Sequence, residues 1–454
     1  MKLLILLPAC LLAGVLCTMA WDPGKGIPIP PSPQRSGDPA KGFEYLTTGD
    51  YVKGGIPLDL FRMTRNKDVK EHLKRQGDNA GIPYGFTVIT ADNGEKLVAP
   101  NCLQCHAQIF NDSLIIGMGN SLMDFSGGQQ LSSRAVTMAA KVLEQRAPEK
   151  YAAAKDFLQV SATVGPKLIT ATRGVNAADR LAAVLAAHRD PVTFKWSDSA
   201  LMPLPEKVIP SDVPAWWLLK HKNAMFYNGF GRGDFGRFLM ASNLLTVRDT
   251  TEAAAVDRRI SDVLAWINQL QAPKYPGTVN AALAAKGQIV YQASCQKCHG
   301  HGDDYPNLLI PADIIKTDPA LFSNNYQQPQ FVNWFNSSWF AQGDHPARLV
   351  PFNGYIAPPL DGVWCTAPYF HNGSVPSIMA VLNSRIRPRY WSRSFDQPRY
   401  DYEQLGWVYE SKTEAAGPQV YNTTLEGYGN SGHYFGDKLS DSDRSAVIEY
   451  LKTL

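Results

Sequence analysis

The stretches Cys102-Leu103-Gln104-Cys105-His106 and Cys295-Gln296-Lys297-Cys298-His299 share one pattern, C-x-x-C-H. Two thiols at that spacing can add across the two vinyl groups of a haem, and the imidazole beside the second thiol then reaches the iron from one face. A bare C-x-x-C also suits a redox dithiol or half a zinc site. The histidine that follows directly, both times, favours haem, and structural zinc sites use other spacings. The chain has 7 Cys, of which two lie near the start and four of the remaining five fall in these motifs. Cys102, Cys105, Cys295 and Cys298 are therefore read as thioether positions for two haem c groups. His106 and His299 are read as the proximal ligands of haem 1 and haem 2.

Export suits that chemistry. Residues 1–20 read as a secretory signal: Lys2 gives a positive start, Leu3 to Leu16 is mostly apolar, and Thr18-Met19-Ala20 offers small residues for cleavage. A retained N-terminal anchor is the alternative, although the run is short for a membrane span. Cys17 is poorly placed for lipid attachment, and Cys10 and Cys17 leave with the signal. What remains, roughly 430 residues, is enough for two or three domains. A net charge of +3 implies no nucleic-acid partner. No second long apolar run follows, so a mature protein that does not span a membrane, located in the periplasm or secreted, is expected.

Residues 21–40, with Ile27-Pro28-Ile29-Pro30-Pro31, read as a Pro/Gly-rich arm or tether. Val88-Ile89-Thr90 before Asp92-Asn93-Gly94 suggests one strand of a small hairpin. From 131 to 195 the chain is Ala-rich and helical in pattern, broken at Gly165-Pro166, with His188 as a surface residue. Val256, Ile260, Val263, Ile267 and Leu270 predict a helix over about 251–271, which Pro273 to Gly277 stops. A domain boundary falls there, giving an N-terminal haem domain with a helical insertion over 41–275 and a C-terminal domain over 276–454. Ala284, Gly287, Val290 and Tyr291 lie on a helix just before the second C-x-x-C-H. That order resembles the opening of a class I cytochrome c, in which a small residue lets another helix cross closely. The crossing partner is the last helix, with Ser440 and Asp443 as a capping box and Val447, Tyr450, Leu451 and Leu454 on one face. The expected fold class is mainly α: two cytochrome c-like haem domains with long loops and little β-structure.

The segment Thr366-Ala367-Pro368-Tyr369-Phe370-His371-Asn372-Gly373-Ser374 resembles the T-A-P-Y-[FLM]-H-[DN]-G-S motif of bacterial dihaem cytochrome c peroxidases. Their superfamily includes the dihaem enzyme that matures methylamine dehydrogenase and the dihaem rubber oxygenases. With both haem motifs the resemblance spans about residues 95–454. The loop from Arg385 to Trp407 and the Gly-rich stretch before the last helix are more similar to the rubber-oxygenase branch. The resemblance implies a Met ligand to haem 2 downstream of the motif, but Arg385 stands near that position and cannot ligate iron. His433, in a Gly/Asn-rich loop, is then the expected sixth ligand, with His371 as the alternative; either could instead be a histidine bonded to a propionate or a carbonyl. The resemblance further implies a calcium ion held by the backbone carbonyls of Thr366 and Pro368, with Asn120 as a guessed third ligand. Trp364 would stand between or beside the haems, or serve as a plain core aromatic. Cys365 would be a buried, inert thiol.

Near haem 1, Leu122 stands where peroxidases carry a switchable histidine, so either Met118 or Met123 caps that iron or its face is open. Phe226, Tyr227 and Phe230 would wall such a face, with Arg232 binding a propionate or polarising an oxygen species. The plain reading of that stretch is a Gly-rich loop with core aromatics. The leading expectation is a periplasmic dihaem oxidoreductase of peroxidase or oxygenase type. A small donor protein of cytochrome c or cupredoxin type would feed haem 2, and haem 1 would react with hydrogen peroxide or oxygen. The alternatives are a non-catalytic dihaem electron carrier and a dihaem oxygenase of an apolar substrate.

Overall fold

The computed structural model describes residues 26–64, 70–127, 133–327 and 329–454; the leader expected at residues 1–20 lies outside the described residues. The expectation of a mainly α protein is overturned. Among the described residues, helix accounts for 41% and strand for 14%, in six small sheets. The strands run only two to five residues, too short to print an alternating pattern in sequence. Several also pair across long separations: Ile27 with Leu309, Gly231 with Leu349, Tyr390 with Lys412 and Asn422. Such pairings leave no local signature.

The helices follow their sequence signals closely. Asp249 caps Thr250–Ile267 by accepting from the Thr251 and Glu252 amides, and Val256, Ile260, Val263 and Ile267 are buried on one stripe. The helix stops before Leu270, a few residues short of expectation. Ser133–Arg146, Pro148–Val164 and Ala178–Ala187 fill the Ala-rich region, with a 3-10 turn at Gly165–Lys167 marking the break. His188 is not on the surface: it is 3% exposed, stacks on Trp196 at 5.0 Å and bonds Ser197 O at 2.9 Å. The hairpin forms as Phe86–Thr90 against Lys96–Pro100, with Gly94 in a left-handed turn conformation.

Two large cores lie side by side. One gathers Tyr45, Leu46, Leu97, Val184, Trp216 and the buried face of Thr250–Ile267. Val332, Trp334, Phe335, Phe340 and Leu349 also join it, crossing the sequence boundary expected at 275. The other core is built on Trp364, Tyr369, Val375, Val447 and Leu451, and Phe110, Met118 and Trp217 reach into it from the first half. There the helices Ala281–Ser294 and Asp441–Leu451 cross. A Cβ on Gly287 would stand 1.9 Å from Ala446 O, so only glycine permits this approach. Ser440 caps the final helix through the Asp443 amide. The described part of the arm is fastened rather than free: Arg35 pairs with Asp234 at 2.7 Å and Asp257 at 2.8 Å.

Candidate functional site

The second C-x-x-C-H turn grows out of a helix end. Ala281–Ser294 stops at Cys295, and the single turn Gln296–His299 follows, with the Cys298 and His299 amides both bonding Cys295 O at 3.0 Å. Tyr291, one turn back on the helix, donates its hydroxyl to His299 O. The His299 ring is braced: Nδ1 lies 2.8 Å from Pro358 O. A carbonyl cannot donate, so Nδ1 carries the proton and Nε2 keeps its lone pair. A ring nitrogen fixed in this way is how proteins orient a metal-ligating imidazole.

His433 faces it. The two ring centroids are 5.9 Å apart at 61°. Two imidazoles each about 2.0 Å from one metal atom would set their centroids about 6 Å apart. The His433 loop is pinned by its amide to Ile315 O at 2.8 Å, and a Cβ on Gly432 would meet Lys316 backbone at 2.3 Å. Its Nδ1 is buried with no hydrogen-bond partner. Burial pushes His433 down to about 3, with His299 and Arg387 adding to the effect, and lowers His299 as well, so both rings are neutral. They border a largely apolar cavity of about 210 Å³, shared with Cys295, Lys222, Tyr227 and His371. Among the described residues no group of three or more His, Cys, Asp or Glu could hold a bare metal ion. Paired imidazoles, apolar walls and adjacent thiols fit a haem instead.

His371 lines the same cavity but is engaged elsewhere. It stacks on Tyr355 at 4.1 Å, and its Nε2 lies 3.0 Å from the Tyr355 hydroxyl, which also reaches Asp318 O at 2.6 Å. Of the two histidines, His433 is the one set opposite His299.

The first turn, Leu103–His106, is held differently. The Cys102 amide bonds the Tyr51 hydroxyl at 3.3 Å, and that hydroxyl donates to Leu46 O at 2.8 Å. His106 stacks on Trp216 with centroids 4.4 Å apart and planes at 16°. Its Nδ1 is buried without a partner, and burial pushes the ring down to about 3. Asn176 Nδ2 lies 3.4 Å from Cys105 Sγ and 3.9 Å from Met123 Sδ. Met123 thus stays near the first turn, whereas Met118 is packed into the second core. All four motif thiols are unpaired, and burial raises each of them, Cys102 and Cys295 to about 11. A redox dithiol needs a depressed thiol, so these environments oppose that reading.

The aromatic stretch divides. Phe226 packs on Phe230 at 5.3 Å and Phe238 at 5.4 Å, and Arg232 donates to Gly229 O from the short strand Gly231–Gly233. Tyr227 turns to the second cavity and donates to Asp212 Oδ2 at 2.7 Å. Burial pushes Asp212 up to about 7. The Asn120 side chain bonds Gln104 O at 2.9 Å and takes the Leu122 amide at 3.1 Å, Thr366 Oγ1 donates to Val363 O, and Ala367 O accepts from Trp407 Nε1. Trp364 is a core aromatic bonded to Pro273 O at 2.8 Å, with Phe110 edge-on at 5.8 Å. Cys365 is 1% exposed and pushed up to about 12 by burial.

Sequence reasoning missed Trp216, Trp217, Asp212 and Pro358. Trp216 stacks on His106, while its neighbour Trp217 bonds Asp361 O at 2.9 Å, and Asp361 lines the second cavity. The Trp-Trp pair therefore links the first turn to the wall of the second cavity. It was visible in sequence, but nothing local marked its partners.

A family model described as RoxA-like, cytochrome c-like matches residues 354–392. That segment carries the T-A-P-Y-F-H-N-G-S run and forms one wall of the His299–His433 cavity. The match supports a cytochrome c family related to rubber oxygenases. The chain is also similar to two proteins of Sinorhizobium fredii (strain NBRC 101917 / NGR234). It is 25% identical to "Uncharacterized protein y4iM" over 58% of this chain and 68% of that one. It is 28% identical to "Uncharacterized protein y4iJ" over 41% of each, so it spans about two fifths of that second relative.

Proposed function

We propose that this chain is a c-type cytochrome oxidoreductase that carries two thioether-linked haems and passes electrons between them. The observation that carries the proposal is the His299–His433 pair, 5.9 Å apart beside Cys295, with His299 braced on Pro358 O. Haem 2 would be attached at Cys295 and Cys298 and gripped by both imidazoles, the arrangement of an electron-transfer haem. Haem 1 would be attached at Cys102 and Cys105 with His106 as ligand. Bound haem supplies a one-electron couple and, at an open coordination position, reactivity toward peroxide or oxygen.

The residues of the chain divide the work. His433 closes haem 2, so electrons rather than oxidants would enter there, from a small cytochrome c or cupredoxin-type donor. Trp216 and Trp217 connect the His106 ring to the wall of the second cavity through Asp361. The first turn keeps His106 neutral by burial, so its lone pair is available at ordinary pH. Phe226 and Arg232 contact their own loop and core, and Tyr227 belongs to the second cavity, which leaves haem 1 chemistry resting on His106 and its surroundings. No described helix is long and apolar enough to cross a membrane, and export to the periplasm accompanies the haem reading. The test is turnover: purified protein is mixed with a reduced cytochrome c and hydrogen peroxide. Oxidation faster than with an equal amount of free haem is expected. Turnover no faster than free haem contradicts the peroxide-reactive version.

A carrier without catalysis is the second reading, favoured by Met123 Sδ lying near the first turn. The family likeness does not choose a substrate, since the matched segment lines the second cavity and not the first turn.

A further inference from the structure

Arg173 and Arg393 meet over one phenyl ring. Their guanidinium carbons lie 4.4 Å and 4.8 Å from the Phe395 centroid. Arg393 is 9% exposed; its Nη2 donates to Ser121 O, and its face lies 4.9 Å from Trp407. Its Nη1 is buried and has no hydrogen-bond partner. Arg173 Nε is likewise buried without a hydrogen bond, and forms a loose ion pair with Asp124 Oδ2 at 4.0 Å. Asp212 acts on Arg393 from a distance, but burial moves that carboxyl toward its neutral form. Two guanidiniums against one ring, in a medium of low dielectric, repel each other, and Arg393 has no ion-pair partner at contact distance to offset this. Burial, with Arg173 adding to it, lowers Arg393 to about 9. The open N–H groups border a small crevice of about 10 Å³, room for about one oxygen-sized atom.

The backbone around this crevice leads to the first turn. Ser121 follows Asn120, whose amide bonds Cys105 O at 2.8 Å. Gly174, next to Arg173, bonds Met123 O at 2.9 Å, and Asn176 reaches Cys105 Sγ. Pro368 and Gly373 of the motif loop close the other side. The fixed charge at this junction is positive, which disfavours a metal cation and favours an anion. Resting on the two-haem reading above, we propose that Arg173 and Arg393 form a site whose crevice receives one carboxylate oxygen of a propionate of the haem attached at Cys102 and Cys105. Charge-assisted bonds from guanidinium to carboxylate are among the strongest polar contacts a protein makes. Such a bond would fix that haem against the junction of the two halves and raise its potential, because a nearby cation disfavours the ferric form.

The test uses the full holoprotein. Haem content is measured first by pyridine haemochrome; fewer than two haems per wild-type chain sinks the two-haem reading before any arginine is changed. Midpoint potentials of both haems are then taken for wild type, Arg393→Gln, Arg393→Lys and Arg173→Gln. The expected result is a fall in the potential of haem 1 in Arg393→Gln, of about tenfold in the oxidation equilibrium, or 59 mV for a one-electron couple. A smaller fall in the same haem is expected for Arg173→Gln, with much of the loss restored in Arg393→Lys. Unchanged potentials, or a shift confined to the His433-ligated haem, overturn the proposal. A free halide in the site would make the wild-type potential depend on chloride and Arg393→Gln remove that dependence; this outcome overturns the carboxylate assignment. If Arg393→Gln does not fold, Arg173→Gln alone carries the test.

Discussion

The two C-x-x-C-H turns share a motif and a single helical turn, and differ in how each is held. The turn at Cys295 ends a helix that another helix crosses, its histidine is braced on Pro358 O, and a second imidazole waits across a cavity. The turn at Cys102 follows a β-hairpin, and its histidine is held by a stack on Trp216 rather than by a hydrogen bond. On the two-haem reading, the shared pentapeptide would specify attachment, and the surroundings what the attached group can do. On the proposed reading, the braced, doubly faced site would serve electron storage. The stacked site has no second imidazole set against it among the described contacts, and on the same reading would react with a small molecule.

The largest expected effect is on the cofactor itself. Cys295→Ala together with Cys298→Ala should halve the covalently bound haem in a pyridine haemochrome assay and leave the spectrum of the first site. Retention of two covalent haems would show that the turns are not equivalent attachment points. His433→Ala comes next. Resonance Raman should show haem 2 moving from low spin to high spin, while His371→Ala leaves it low spin because His371 is engaged with Tyr355. The reverse pattern would exchange the two histidines.

Trp216→Ala removes the buried ring that holds His106 and should cost about 3–5 kcal/mol in stability, read by denaturant unfolding, with a perturbed spectrum at haem 1 only. Gly287→Ala sharpens the other side of the comparison. The added methyl would collide with Ala446 O, and a loss of about 1–3 kcal/mol is expected, with haem 2 released first on heating. A neutral outcome would mean that the helices crossing there can part freely.

The smallest effect concerns pH. Burial raises the Asp212 carboxyl to about 7, well above the usual carboxylate range, so the folded state holds a proton that the unfolded chain gives up at lower pH. That stability is fully present below about pH 4 and is lost as pH rises through 7. Melting temperatures measured from pH 4 to 8 should fall in wild type, and the slope should flatten in Asp212→Asn. Parallel curves would show that Asp212 is not the group responsible.

Much of the helical frame was legible because burial repeats at helical spacing in Thr250–Ile267, and because Ser440 and Asp443 announce the start of the last helix. Gly287 was legible too, since a small residue before C-x-x-C-H has one physical use. The strands were not, because Ile27–Pro28 or Gly231–Gly233 acquire their identity only from partners far along the chain. His188 reads as a surface residue, yet Trp196 folds back to cover it. Tyr227 sits between two phenylalanines that enter the large core, but a turn with Phe226 in the left-handed region sends it to the second cavity instead. The partners of Trp216 and Arg393 are tertiary in the same sense: a guanidinium at residue 393 meets a carbonyl at residue 121 only after the halves dock.

The most direct test of the central claim is electron paramagnetic resonance of the purified ferric holoprotein. Two haems in unlike surroundings predict one low-spin signal, from the haem between His299 and His433, and one high-spin signal from the haem at His106. Two low-spin signals of equal weight would contradict an open first site, and a high-spin signal from the His299 haem would contradict the imidazole pair on which the proposal stands.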